Sequence, residues 1–189
     1  MTHQIQPFKQ GQLDGLCGIY AIINAIRIAL GAEEKRFRRS DWEELFYVLL
    51  CAVDEEIGAV KAVSYGLSAK SFRKAAKVAV EHMRDEHEAA ISITRLIPRH
   101  AKPTAPQVIQ AIDATSAGQA VIAGLSGKLD HWTICRRVSA KSLILFDSNS
   151  YLRIARPNCR MCYEPKHDHG RQDIMHCSGL WLATAVPGS

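Results

Sequence analysis

Apolar positions crowd the stretch 16–30, where Ile19, Ala21, Ile22, Ile23, Ala25, Ile26 and Ala29 are interrupted by Asn24 and Arg27 and stopped by Gly31. A segment this apolar around its circumference predicts a helix buried on most sides, with the glycine ending it. Ser40-Asp41-Trp42-Glu43 reads as a capping box that opens a second helix through about Val53, with Leu45, Val48, Leu49 and Ala52 inward. A third helix is expected from Ser68 to about His87, carrying Phe72, Ala75, Ala76, Ala79, Val80 and Met83 at helical spacing. A short strand follows over 90–96. Thr104-Ala105-Pro106-Gln107 then starts a helix with Val108, Ile109 and Ile112, its proline in the first turn. From there the period changes to two, and 119–125, 131–138, 142–146, 151–155 and 179–186 read as strands, with turns at Ser126-Gly127 and Ser139-Ala140-Lys141. Helices first and an antiparallel sheet afterwards predict an α+β architecture.

Length and composition bound this picture without changing it. At 189 residues the chain suits one domain over 1–189, and 47% hydrophobic against 23% charged residues is a globular balance. The formal charge of +5 is modest. The cluster Lys35, Arg36, Arg38, Arg39 lacks the aromatic interleaving or reading motif of a nucleic-acid footprint, so no nucleic-acid partner is expected. No apolar run reaches the ~18 residues of a membrane span, and the start Met1-Thr2-His3-Gln4 lacks the features of a secretory signal. A cytoplasmic location and no membrane partner are the expectation. In that setting the six cysteines are more naturally reactive, metal-binding or buried thiols than disulfides.

Cys17 falls where the glycine-containing loop Gln12-Leu13-Asp14-Gly15-Leu16 gives way to the buried helix. Unpaired backbone N–H groups and the positive end of the helix dipole there favour a thiolate, the form that attacks a carbonyl. Far along the chain, His131 opens one predicted strand and Asp147 ends the next. If these form a hairpin across Ser139-Ala140-Lys141, the two become neighbours, and the carboxylate holds the imidazole in one tautomer with its other nitrogen free for the thiol. Each residue alone has a plain structural explanation; the three together point to nucleophilic catalysis. Trp132, beside the base, could shield the hydrogen bonds from water or could simply be core. Asp14 and Tyr20 read as structural.

The loop before Cys17, the buried helix after it, and His131-Trp132 followed by Asp147 resemble the papain-like superfamily of cysteine peptidases. Two branches are most similar. Josephin-type deubiquitinases share a glutamine five residues before the cysteine, here Gln12, and a histidine-tryptophan pair opening a strand. Peptidases that trim bacteriocin leaders share the order cysteine, histidine, aspartate and a preceding strand like 119–123. The resemblance covers the first thirty residues and roughly 105–150. It implies a papain-like fold and an oxyanion donor at Gln12, worth about 3 kcal/mol of barrier, with Gln10 as its competitor. The chain departs from the Josephin pattern at the third triad position, where that branch has asparagine.

Cys159, Cys162, His167, His169, His176 and Cys177 crowd together near the end. Cys159, Cys162, His169 and Cys177 could supply the four ligands of a structural zinc, which would staple a long hairpin of little apolar content. The alternative is a polar loop with incidental thiols. Cys51 and Cys135 sit on apolar segments and are expected in the core.

The expected function is a thiol hydrolase acting on an amide of a protein or peptide: peptide cleavage, removal of a ubiquitin-like modifier, or glutamine deamidation. All three begin with the same attack and require no cofactor. The substrate groove is expected to draw partly on the helical region between about 34 and 100. A non-catalytic binding module on the same fold, and an acyl- or amine-transferase, are the rival readings.

Overall fold

The computed structural model describes residues 5–11, 14–165 and 172–186. Among these, five α-helices and a seven-stranded sheet make an α+β fold. Helix α1 (Cys17–Leu30) is buried nearly all round, and Gly31 closes it at a φ of 56° that disfavours a side chain. The chain then tightens into a 3-10 turn, Gly31–Arg36, before α2 (Arg39–Ile57).

Helix α2 begins one residue before Ser40, which is therefore not its cap. The Asp41 carboxylate reaches back to accept the Arg38 N–H at 2.8 Å, leaving the Ser40 hydroxyl bonded only to Asp41 at 3.3 Å. The helix also outruns Val53 to Ile57. Its inward face is Trp42, Leu45, Leu49 and Val53, with Val48 and Ala52 half-buried. A short helix that the periodicity did not reveal, α3 (Ala59–Tyr65), lies between Gly58 and Gly66. Helix α4 (Ala69–His87) starts as expected, with the Ser68 hydroxyl accepting the Ser71 N–H. Helix α5 (Ala105–Asp113) starts where expected, and a capping box opens it, with the Thr104 N–H donating to the Gln107 side chain at 2.8 Å.

The strands are β1 (Ile91–Arg95), β2 (Gln119–Gly127), β3 (His131–Val138), β4 (Ser142–Phe146), β5 (Arg153–Ala155), β6 (Cys159–Met161) and β7 (Asp173–Ala185). They lie in the order β1-β7-β2-β3-β4-β5, antiparallel throughout, with β6 added parallel to β7. Strand β7 begins six residues before the expected 179, and β6 forms where no strand is expected from the sequence. The structure supplies the reason. The first residues of β7, Asp173 to Met175, pair with β2 and β6, and the displaced segment 176–179 that follows carries His176 and Ser178, so apolar alternation is lost before Leu180 rejoins the ladder.

Both faces of the sheet are covered. Helices α1 and α4 cover the face that carries Ala120, Ile122, Trp132, Ile134, Phe146 and Trp181, with α2 packed outside them on α1 and α4, and α5 covers the face that carries Val121, Ala123, Leu143 and Leu145. That two-sided cover explains the nearly continuous apolar runs of β2 and β4. Trp132 is part of this core: its indole stacks on Phe72 at 4.0 Å and donates Nε1–H to the Leu67 carbonyl at 2.7 Å. Gly124 makes room for it, since a Cβ there would sit 2.9 Å from the ring.

Asn24 and Arg27, the two interruptions of the α1 pattern, hold the N-terminal segment. Asn24 exchanges two hydrogen bonds with the Phe8 backbone, at 2.8 and 3.1 Å. Arg27 makes a buried ion pair with Glu34 at 2.8 Å, donates to the Gln6 carbonyl at 2.7 Å and covers the Phe8 ring. Among the described residues no helix is long and apolar enough to cross a membrane.

Candidate active site

Cys17 is the first residue of α1. The loop that delivers it is set by Asp14, whose carboxylate accepts the Gly11 N–H at 2.8 Å and the Leu16 N–H at 3.1 Å. Gly15 is required here, because its N–H donates to Val63 O at 2.7 Å and a Cβ would meet that same oxygen at 2.7 Å. The loop and α3 are thus pressed together, with the sulfur of Cys17 beyond them.

The Cys17 sulfur accepts the backbone N–H of Trp132 at 3.4 Å, across 115 residues of sequence. His131 is therefore one peptide unit from the sulfur. Its Nε2 is bonded to Asp147 Oδ2 at 2.7 Å, which leaves Nδ1 as the nitrogen available to the thiol. The other Asp147 oxygen accepts the N–H groups of Asn149 at 2.8 Å and Tyr151 at 3.1 Å. With both oxygens engaged and the residue buried, the carboxylate has a single orientation.

Burial is the largest influence on His131 and lowers its pKa. The Asp147 hydrogen bond, the neighbouring Cys17 and the charges of both outweigh it and raise the group from 6.5 to about 9. For Asp147, burial again comes first and pushes the carboxyl up, but the bond and charge of His131 prevail and hold it below its ordinary value. The two shifts describe one buried, charge-assisted pair.

The pairing depends on a bulge that the sequence reading did not foresee. Near the turn, Val138 pairs with Leu143 and Arg137 with Ile144, yet further on Cys135 pairs with Leu145 and Ile134 with Phe146. Arg136 is thus an extra residue on β3. Continuing the ladder sets Asp147 opposite Thr133, on the face that His131 shares. Without the extra residue Asp147 would fall opposite Ile134, on the Trp132 face.

A second irregularity shapes the groove beside the sulfur. Ala123 pairs with Leu180 and Leu125 with Met175, so Gly124 alone on β2 faces His176, Cys177, Ser178 and Gly179 on β7. The displaced segment is tied back by a His176 Nε2 to Ser126 Oγ hydrogen bond of 2.8 Å. It forms one wall of a cavity of about 330 Å³ whose lining includes Cys17, Leu67, Ser68, His131, His176 and Gly179. The opposite wall, Tyr65 to Ala69, comes from the helical region expected to contribute. A larger cavity of about 670 Å³ lies elsewhere, among Ile28, Lys35, the 115–119 turn and Arg136, and its lining has no cysteine or histidine.

The remaining sequence candidates fall as follows. Gln12 lies outside the described residues. The amide of Gln10, its competitor, is occupied: Nε2 donates to Asp14 O at 3.2 Å, and Oε1 accepts the Ser148 hydroxyl at 2.9 Å. Of the metal candidates, Cys159 is in the core beside Met161 and Met175, where burial pushes its thiol up to about 12. Cys162 is exposed, while Cys177 is half-buried with its sulfur 3.7 Å from the Tyr163 hydroxyl. His167 and His169 lie outside the described residues. Among the described residues no three His, Cys, Asp or Glu side chains converge to hold a metal ion. Cys135 is core as expected, and Cys51 is half-buried. No protein-family model, curated protein or solved structure matches the chain.

Proposed function

We propose that this chain is a papain-like cysteine hydrolase that cleaves an amide bond in a protein or peptide. The observation that carries the reading is the meeting of Cys17, the Trp132 N–H and the 2.7 Å His131–Asp147 pair, brought together from distant parts of the chain, with Cys17 and His131 lining one groove. In this reaction the Cys17 sulfur attacks the carbonyl carbon with its proton already resting on His131, whose raised pKa of about 9 keeps the imidazole protonated at neutral pH. Collapse of the tetrahedral intermediate passes that proton to the leaving nitrogen, releases the amine and leaves a thioester. Water, deprotonated by His131, then displaces the sulfur, and the acid product departs with the proton again on His131. Asp147 keeps the imidazole in the tautomer and orientation that both steps need. Gln12 is the proposed side-chain donor to the oxyanion, since the Gln10 amide is committed elsewhere.

The same first step serves peptide cleavage, release of a ubiquitin-like modifier and glutamine deamidation. The test is alkylation by iodoacetamide, resolved peptide by peptide. Cys17 is expected to react faster than the exposed Cys162, and to lose that advantage in His131→Ala. Equal reactivity of the two thiols, or a Cys17 rate unaffected by His131→Ala, refutes the proposal. A non-catalytic module would give that result.

A further inference from the structure

Cys17 and Asp147 arrive on separate elements, one at the start of α1 behind the 14–16 loop and the other on the turn after β4. Gln10 touches both. Its N–H donates to the Ser148 carbonyl at 3.2 Å, and its Oε1 accepts the Ser148 hydroxyl at 2.9 Å, gripping the residue directly after Asp147. Its Nε2 donates at 3.2 Å to the carbonyl of Asp14, the residue whose carboxylate fixes the Leu16 N–H next to Cys17. Lys9 adds to the grip on the turn, donating to Asp147 O at 2.9 Å and to the Ser150 hydroxyl at 3.0 Å. The segment that carries both residues is itself anchored to the middle of α1 by the paired Asn24–Phe8 hydrogen bonds.

We propose that Gln10 is a positioning residue, a brace that ties the loop presenting the nucleophile to the turn presenting the carboxylate. This rests on reading Cys17, His131 and Asp147 as a reactive set. It gives Gln10 a role other than oxyanion donor, because bonds at both ends of its amide fix the side chain between Asp14 and Ser148. Without the Gln10 side chain, the 147–150 turn and the 14–17 loop stay joined only through Lys9 and the backbone N–H groups of Gln10 and Gly11, a looser connection. The His131 ring, held between them, then loses its alignment with one or the other.

The variants are Gln10→Ala, Ser148→Ala and the double substitution. Three quantities are measured: iodoacetamide alkylation of the Cys17 peptide, the His131 titration followed by NMR of labelled imidazoles, and the melting temperature. Loss of alignment on this scale is expected to slow Cys17 alkylation in Gln10→Ala roughly tenfold at neutral pH. It should also move the His131 midpoint down from its wild-type value of about 9. Ser148→Ala should show a smaller change of the same kind. The double variant should be no slower than Gln10→Ala alone, since both act through one bond.

A Gln10→Ala protein with the wild-type rate and His131 midpoint overturns the brace, even if its melting temperature falls. Should Gln10→Ala fail to fold, Ser148→Ala decides: an unchanged rate and midpoint overturn the proposal. If Cys17 proves inert in the wild type, the proposed function fails, and the His131 midpoint in Gln10→Ala still settles the brace on its own.

Discussion

Replacing Asp147 by asparagine keeps the shape of the side chain and removes the charge that His131 leans on. In the wild type the imidazole is held at about 9 against burial, compared with 6.5 in the unfolded chain. At ~1.4 kcal/mol per tenfold preference for the proton, that difference stabilises the protonated fold by about 3 kcal/mol. A group whose folded value is raised contributes in full below its unfolded value and loses the contribution as pH climbs through the folded one. Wild-type stability should therefore decline by about that amount between about pH 6.5 and 9. Asp147, held below its ordinary value, acts in the opposite direction and contributes above the normal carboxylate range, fading in acid. The pair is thus strongest between the two ordinary values. In Asp147→Asn the attraction that overcame burial is gone, so most of the decline above pH 6.5 should disappear. Urea unfolding of both proteins at intervals from about pH 5.5 to 9.5 reads this directly, through the fluorescence of the buried Trp42, Trp132 and Trp181. Parallel pH profiles for wild type and variant would refute the reasoning.

Two further outcomes follow from packing. Gly124→Ala drives a methyl to 2.9 Å from the Trp132 indole, which is held by Phe72 on its face and Leu67 at its nitrogen. The cost should be about 1–3 kcal/mol in urea unfolding, with slower Cys17 alkylation because the Trp132 N–H moves with the ring. Arg27→Ala leaves the Glu34 carboxylate buried without its partner and should cost about 3–5 kcal/mol, whereas Arg27→Met combined with Glu34→Leu should recover most of the loss. A double variant no more stable than the single one would contradict this account.

The sequence was most informative where a single kind of order governs. Strands β3 and β4 were legible to the residue because each is a short, largely apolar run covered on both faces and bounded by turn residues. Helix α4 was read to within a residue because its serine cap and apolar stripe agree. Helix α3 escaped because seven residues, with Val60 and Tyr65 left exposed, present no stripe to recognise. The start of β7 escaped because its bulge abandons alternation. At the site, the neighbourhood of His131 and Asp147 was legible from a simple hairpin, but the face on which they meet was not. Arg136 carries no glycine or other mark of a bulge, and only the register of the folded ladder reveals it. The braces from Lys9 and Gln10 were equally hidden, since polar residues in a short N-terminal segment have no period to betray what they touch.

The extra residue at Arg136 makes the spacing between His131 and Asp147 a matter of parity. Lengthening the loop at Ser139-Ala140-Lys141, beyond the last paired residues, leaves the facing of both side chains untouched, because the ladder still counts inward from Val138 and Leu143. Removing one residue between His131 and Cys135 turns the imidazole to the opposite side of the sheet, and no adjustment of the loop returns it. Relatives of this chain can therefore differ freely in that loop, yet within β3 and β4 they must gain or lose residues in even numbers to keep the pair.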